Sequence, residues 1–187
     1  MSQRLIVGIS GASGVIYGVR LLELLRPLPV ETHVVMTRSA QITLAHETDR
    51  KVADVQALAN SWYGPDDIAA AISSGSFRTM GMIVAPCAMR SLSEIAYGNT
   101  THLLTRAADV VLKERRRLVL LPRETPLHLG HLRAMTAVTE AGAVIAPPVP
   151  AFYAKPASIM DMVDYTLARA MDLFDIDLVD ANRWKGG

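Results

Sequence analysis

Five short apolar runs without polar alternation constrain this chain more than any other feature: Leu5 to Ile9, His33 to Met36, Met82 to Ala85, Leu118 to Leu121 and Ala143 to Ala146. A strand with one wetted face alternates apolar and polar residues, so runs that are apolar throughout belong in a parallel sheet covered on both sides. Helical patterns fill the gaps. Val15 to Leu25 has apolar residues at helical spacing and stops at Arg26-Pro27, while Ile159 to Phe174 carries Met160, Val163, Leu167, Met171 and Phe174 at steps of three and four. The order β-α-β-α-β predicts an α/β fold, a Rossmann-like doubly wound parallel sheet, and such sheets take ligands in the crevice at the carboxyl ends of their strands. The least regular stretches are Ala59 to Asp66 and the proline-rich Ala146 to Pro156. With 187 residues and no repeat, low-complexity segment or linker, one domain over 1–187 is expected.

Charge and composition exclude several roles. Nineteen basic against 18 acidic residues give a net charge of +1, without the excess that draws a protein to nucleic acid. The longest apolar runs fall far short of the ~20 residues of a membrane span. A lone cysteine, Cys87, has no internal disulfide partner, and no signal peptide precedes the first strand, so a cytoplasmic location is expected. A mean hydropathy of +0.24 with nine methionines predicts that other subunits cover part of the apolar surface.

The first strand runs into Val7-Gly8-Ile9-Ser10-Gly11-Ala12-Ser13-Gly14-Val15-Ile16-Tyr17-Gly18, where free backbone N–H groups at a helix start favour an anion. The stretch lacks the Lys-Ser/Thr that ends an ATP-binding loop, and its glycine spacing differs from the dinucleotide fingerprint, so ATP and NAD are disfavoured. The pattern alone leaves phosphate binding and a structural turn both open. Other strand ends also carry chemistry: Pro86-Cys87-Ala88-Met89-Arg90-Ser91 after the third, Pro122-Arg123-Glu124 after the fourth, and Pro147 to Tyr153 after the fifth. Before the third strand, Ser73-Ser74-Gly75-Ser76-Phe77 adds a cluster of hydroxyls.

Each has a plainer reading. Lys113 to Arg117 closes a helix whose dipole favours cations, Arg123-Glu124 fits a surface ion pair, and Arg106, Arg169 and Tyr153 fit outward-facing or packing roles. Cys87 has no histidine beside it in sequence and reads as a small buried or ligand-adjacent residue rather than a nucleophile. His128 and His131 lack a third ligand and read as helix-start residues.

Taken in order, GASG, SSGSF, PC-x-M-x-SL, RAADVVLKERR from Arg106 to Arg116, LVLLPRE, and PAFY followed by Arg169 resemble the UbiX-type flavin prenyltransferases, formerly described as aromatic-acid decarboxylase subunits. The resemblance runs from about Leu5 to Trp184. It implies a subunit of flavoprotein type, commonly in a large homo-oligomer such as a dodecamer. Such a subunit joins FMN to a dimethylallyl group from dimethylallyl phosphate, and the prenylated FMN serves a UbiD-type decarboxylase.

The same resemblance assigns residues. Gly11, Ala12, Ser13, Thr37, Ser74, Gly75, Ser76, Cys87, Ala88, Met89, Arg90 and Arg123 match flavin-contacting positions, with Ala88 replacing the usual serine. Arg106, Lys113, Arg123, Tyr153 and Arg169 match the residues that hold the prenyl phosphate. Glu47 and Glu124 match the acidic members of the site, and Trp184 a tryptophan close to it. Lys113 and Arg123, with Glu47 and Glu124, are the expected catalytic set. A monophosphate leaves less readily than a diphosphate, and guanidinium, ammonium and phenol groups stabilise its charge strongly in a water-poor pocket. No metal is required by that scheme. Two rivals share the flavin loops: an FMN-dependent cysteine decarboxylase, which carries a PASANT-like loop where this chain has PPVPAFY, and a non-catalytic FMN-binding accessory subunit, which has no use for the cationic set.

Overall fold

In the computed structural model, which describes residues 3–178, the apolar runs become six strands: β1 (Gln3–Ile9), β2 (Val30–Met36), β3 (Ser61–Tyr63), β4 (Gly81–Cys87), β5 (Arg117–Pro122) and β6 (Val144–Ile145). They form one sheet in the order β3-β2-β1-β4-β5-β6, with every pairing parallel. The order reverses between β1 and β4, which opens a crevice at their carboxyl ends.

Burial explains why the strands carry no polar alternation. Leu5, Val7 and Ile9 of β1 enter the core beneath α1 (Ile16–Leu25) and α7 (Ile159–Asp172), whereas Ile6 points to the opposite face. That second face is covered by α4 (Met89–Ala96), α5 (Leu103–Lys113) and α6 (Leu129–Glu140), through Leu92, Leu104, Val111 and Val138. A fully buried leucine or isoleucine is worth about 1.5–3 kcal/mol relative to exposure, so a polar residue on either face of β1 costs the fold heavily. Two further helices, α2 (Arg38–Glu47) and α3 (Val52–Gln56), link β2 to β3. An Arg20 fork ties α1 to α7: Nε and Nη2 each donate to an Asp164 carboxylate oxygen at 2.8 Å.

The sheet has one strand more than the sequence predicts. β3 lies within the stretch read as irregular, and side chains fasten it to β2. The Thr32 N–H and hydroxyl both donate to Asn60 Oδ1 at 2.8 and 2.9 Å, and buried His33 meets the Tyr63 hydroxyl at 2.9 Å. Helix bounds also shift slightly. α7 stops at Asp172 rather than Phe174, and α5 begins at Leu103, which puts Arg106 at the end of its first turn.

Candidate functional site

The carboxyl ends of β1, β2, β4 and β5 gather most of the expected flavin residues. After β1, Gly11 packs against the start of α2 so closely that a Cβ there would lie 2.3 Å from Ser39 Oγ; only glycine fits. Gly14 turns the chain with φ +93, a conformation glycine adopts freely, and α1 follows. At the end of β2, Thr37 caps α2 by accepting from the Ala40 N–H at 3.2 Å, and its hydroxyl lies 3.1 Å from that of Ser39.

Ser10 joins the β1 and β4 exits. Its hydroxyl donates to the Pro86 carbonyl at 3.0 Å and accepts from the Ala88 N–H at 2.7 Å. The Arg123 N–H donates to the Cys87 carbonyl at 3.2 Å, which brings the β5 exit alongside. Cys87 itself is fully buried, and burial pushes its thiol up to about 12. It is inert packing beneath the crevice.

The helix starts in this crevice are finished in two ways. The turn that leads into α1 holds a carboxylate: Glu47, at the end of α2, accepts from Gly14 N–H at 2.9 Å and from the Val15 N–H, the cap of α1, at 3.0 Å. Partial burial pushes the Glu47 carboxyl up, but hydrogen bonds from Ser13, Gly14 and Val15 and the nearby Arg123 charge outweigh it and hold the group below its ordinary range. The helix end that the sequence offers to a phosphate therefore already holds an anion. By contrast, α4 starts at Ala88, whose methyl offers its first-turn amides no acceptor. Arg90 sits in that first turn, its Nε bonded to Glu94 at 2.9 Å.

Other expected residues lie elsewhere. A loop that precedes a parallel strand opens at the amino end of the sheet, and Ser74 to Ser76 precede β4. That end is ~20 Å from Cys87 along the strand. Lys113 is there too, paired with Glu114 at 2.6 Å and beside Gly75. The Lys113–Arg117 run is less solvated than the sequence implies: Arg116 is largely buried and donates to the Gly75 and Phe77 carbonyls at 2.7 Å, which pins the serine loop. Arg106 pairs with Asp109 on its own helix at 2.9 Å. A third group forms along α7, where the Tyr153 hydroxyl contacts that of Tyr165, and Arg169, one turn further, pairs with Asp172. α7 descends toward the amino end of the sheet, since Phe174 packs against Gly81. Within one protomer, Lys113 and the serine loop thus lie at the sheet edge opposite Glu47 and Arg123, while Tyr153 and Arg169 are gathered along α7.

Glu124 is exposed beside Arg123 and accepts from the Thr125 N–H at 3.0 Å. Trp184 lies outside the described residues. His128 caps α6 by accepting from the Gly130 N–H at 3.0 Å and stacks on His131, which fits the helix-start reading. Sequence reasoning missed Ser10, Ser39, Arg116 and Tyr165. Ser10 and Ser39 flank glycine or threonine already marked as crevice residues, which is the signal that would have found them.

A family profile described as Flavoprotein matches residues 1–171, and the chain belongs to that family. It is 58% identical to the flavin prenyltransferase UbiX of Escherichia coli K12 over 187 residues, 98% of this chain and 99% of that one. Superposition on AnUbiX (PadA1), solved with FMN and dimethylallyl pyrophosphate, gives a TM-score of 0.98 at 51% identity, covering 100% of both chains. A dodecameric FMN-dependent Ubix-like decarboxylase from Escherichia coli O157:H7 gives 0.96 at 50% identity, covering 98% of this chain and 100% of that one. Within the flavoproteins, the chain is a member of the UbiX-type flavin prenyltransferases. No helix among the described residues is long and apolar enough to cross a membrane.

Proposed function

We propose that this chain transfers a dimethylallyl group from dimethylallyl phosphate to reduced FMN, making prenylated FMN for a UbiD-type decarboxylase. The single observation that carries the reading is the crevice itself, where the uncapped first turn of α4 opens beside Arg90 and within reach of Arg123. An open helix start with neighbouring guanidinium groups suits an anionic ligand. The residues fit FMN: Gly11 lets backbone approach closely, while Ser13 and Thr37 supply hydroxyls. Gly11, Ala12, Ser13, Thr37, Ala88, Met89, Arg90 and Arg123 would hold it, with Cys87 packing below. When bound, reduced FMN supplies the nucleophilic N5 and the ring carbon C6 that take the two ends of the prenyl group.

The chain's own task is to stabilise the leaving group. As the allylic C–O bond breaks, its electron pair passes to the phosphate oxygen, and Arg106, Lys113, Arg123, Tyr153 and Arg169 hold the growing charge by charge-assisted hydrogen bonds. These residues fall in separate groups on one protomer, so the active unit is a homo-oligomer, a dodecamer in this proposal, in which copies bring Lys113, with Ser74, Gly75 and Ser76, and the Tyr153–Arg169 pair to a neighbour's crevice. Glu47, held anionic, balances the cationic cluster and is unsuited to donate a proton near neutral pH. Glu124 remains the group free to move a proton at a phosphate oxygen. Each subunit acts as a single domain in the cytoplasm, where the lone Cys87 stays a thiol.

The test is anaerobic incubation with reduced FMN and dimethylallyl phosphate, followed by mass spectrometry of the extracted cofactor. Gain of one C5 unit is expected, and an unchanged flavin mass overturns the activity. A parallel arm with the diphosphate, the form present in the AnUbiX structure, separates the two donors. Co-assembly of Lys113→Ala with Arg123→Ala protomers is expected to restore part of the turnover that each lacks alone. No restoration overturns the shared site.

A further inference from the structure

We infer that Arg116 is a positioning residue: its guanidinium fork sets the serine loop and Lys113 as one preformed edge that a protomer offers to its neighbour's flavin. The inference rests on the proposed site shared between protomers. Arg116 touches no substrate and acts through Ser74, Ser76 and Lys113.

The fork is aimed by the way α5 ends. Arg115 takes a left-handed conformation with φ 56, its N–H donates to the Leu112 carbonyl at 3.0 Å, and the Arg116 N–H reaches back to the Val111 carbonyl at 2.9 Å. These two bonds are the closing pair of a common helix ending, in which glycine is the usual left-handed residue. A residue with a β-carbon persists there only where its surroundings fix it. The Arg116 backbone is thereby locked just before β5, and its side chain is 17% exposed, whereas Arg115 and Arg117 on either side lie at the surface.

The fork grips the loop at two points. Nη1 donates to the Phe77 carbonyl and Nη2 to the Gly75 carbonyl, both at 2.7 Å, as charge-assisted bonds from a rigid planar group. A lysine ammonium has the charge but not the span. Between the two carbonyls stands Ser76, whose hydroxyl lies 2.9 Å from that of Ser74, and the Phe77 N–H closes the turn onto the Ser74 carbonyl at 3.2 Å. The Phe77 ring is held in turn by the Arg4 guanidinium, 4.8 Å from its centroid, and by the buried His33 ring at 4.9 Å.

Lys113 belongs to the same unit. A Cβ on Gly75 would lie 2.2 Å from Glu114 Oε1 and 2.9 Å from Lys113 Nζ, so the loop backbone is pressed against that ion pair. The other Glu114 oxygen stands 3.9 Å from Arg116. Hydroxyls for the flavin and an ammonium for the phosphate thus share one geometry before either ligand arrives, and a loop ordered in advance adds no ordering cost to binding.

Flavin fluorescence titration of the assembled protein is the first test. Arg116→Ala is expected to raise the FMN Kd by roughly tenfold, about the worth of one charge-assisted hydrogen bond, and Arg116→Lys is expected to keep most of that loss. An unchanged Kd in Arg116→Ala, or full affinity in Arg116→Lys, overturns the inference. Co-assembly is the second, with turnover read near the wild-type FMN Kd. Arg116→Ala protomers mixed with Arg123→Ala protomers are expected to regain turnover, because intact edges meet intact crevices. Mixed with Lys113→Ala protomers they are expected to regain none, because every edge then carries a defect. Recovery in the second mixture, or none in the first while Lys113→Ala with Arg123→Ala recovers, overturns the inference. If that last mixture fails as well, the shared site itself falls and the inference with it. Should Arg116→Ala not assemble, Arg116→Lys carries both mixtures.

Discussion

Two helices leave the carboxyl edge of the sheet from neighbouring strands, and the chain entering each is held differently. α1 follows β1 and receives the Glu47 carboxylate; α4 follows β4 and receives no side chain from its Ala88 cap. The glycine-rich turn that looks most like an anion site is thus internally satisfied, whereas the less conspicuous Pro-Cys-Ala start is the one left open. A helix start is a candidate ligand site only when the rest of the chain leaves its amides unpaired.

Four experiments break or sharpen that contrast. Arg123 lies beside both helix starts, adjoining Glu47 through its charge and Cys87 through its amide. Arg123→Ala is expected to cut turnover on the order of a hundredfold while FMN still binds, since the backbone amides remain. Flavin fluorescence titration alongside kinetics checks it, and loss of FMN would mean that Arg123 is needed for the flavin first and that its role toward the leaving group is unsupported.

Glu47→Gln addresses the closed helix start. The glutamate titrates lower in the folded chain than in the unfolded one, where about 4.3 applies. Its contribution is therefore present in full above that value and disappears as pH falls through the folded value. Urea unfolding at pH 7 is expected to show a loss of about 1 kcal/mol in the variant, and the gap should close as the pH falls through the lowered value of the folded chain. A gap independent of pH would mean the carboxylate charge is not what α1 uses.

Ala88→Ser closes the open start. A serine cap is worth about 0.5–1 kcal/mol to the FMN-free protein, or a rise of roughly 1–4 °C in melting temperature. No rise would show that the α4 amides are already satisfied. The smallest effect is expected directly beneath, at Cys87: iodoacetamide at pH 8 should leave the native thiol unmodified and label it in urea, because burial holds it up to about 12. Rapid labelling of the native protein would place an opening there that the packed core lacks.

Much of the sheet could be read from the sequence, because β1, β4 and β5 are buried on both faces and say so by their unbroken apolar runs. β3 could not. It is three half-buried residues at a sheet edge, too short for any period to register, and it is held by the Asn60 and Tyr63 side chains rather than by a core face. Within the site, the residue types at the strand exits were legible and their grouping was not. Glu47 reaches Gly14 across 33 positions, a contact no local pattern announces. The placement of Ser74 to Ser76 was available in principle, since a loop entering a parallel strand must lie at the edge opposite the crevice. Arg116 shows the reverse failure: a charge run reads as solvent-facing, yet one of its members spends its guanidinium on two backbone carbonyls.

The Arg20–Asp164 fork gives α1 and α7 the character of one splint laid across the sheet. Asp164 adjoins Tyr165, while α1 begins at the turn gripped by Glu47, so the fork couples the proline-rich segment's anchor to the seat of the glycine turn. A bidentate pair resists rotation as well as separation. Loss of the fork would therefore act on two parts of the site at once, the helix that carries Tyr165 and Arg169 and the helix that follows the turn held by Glu47.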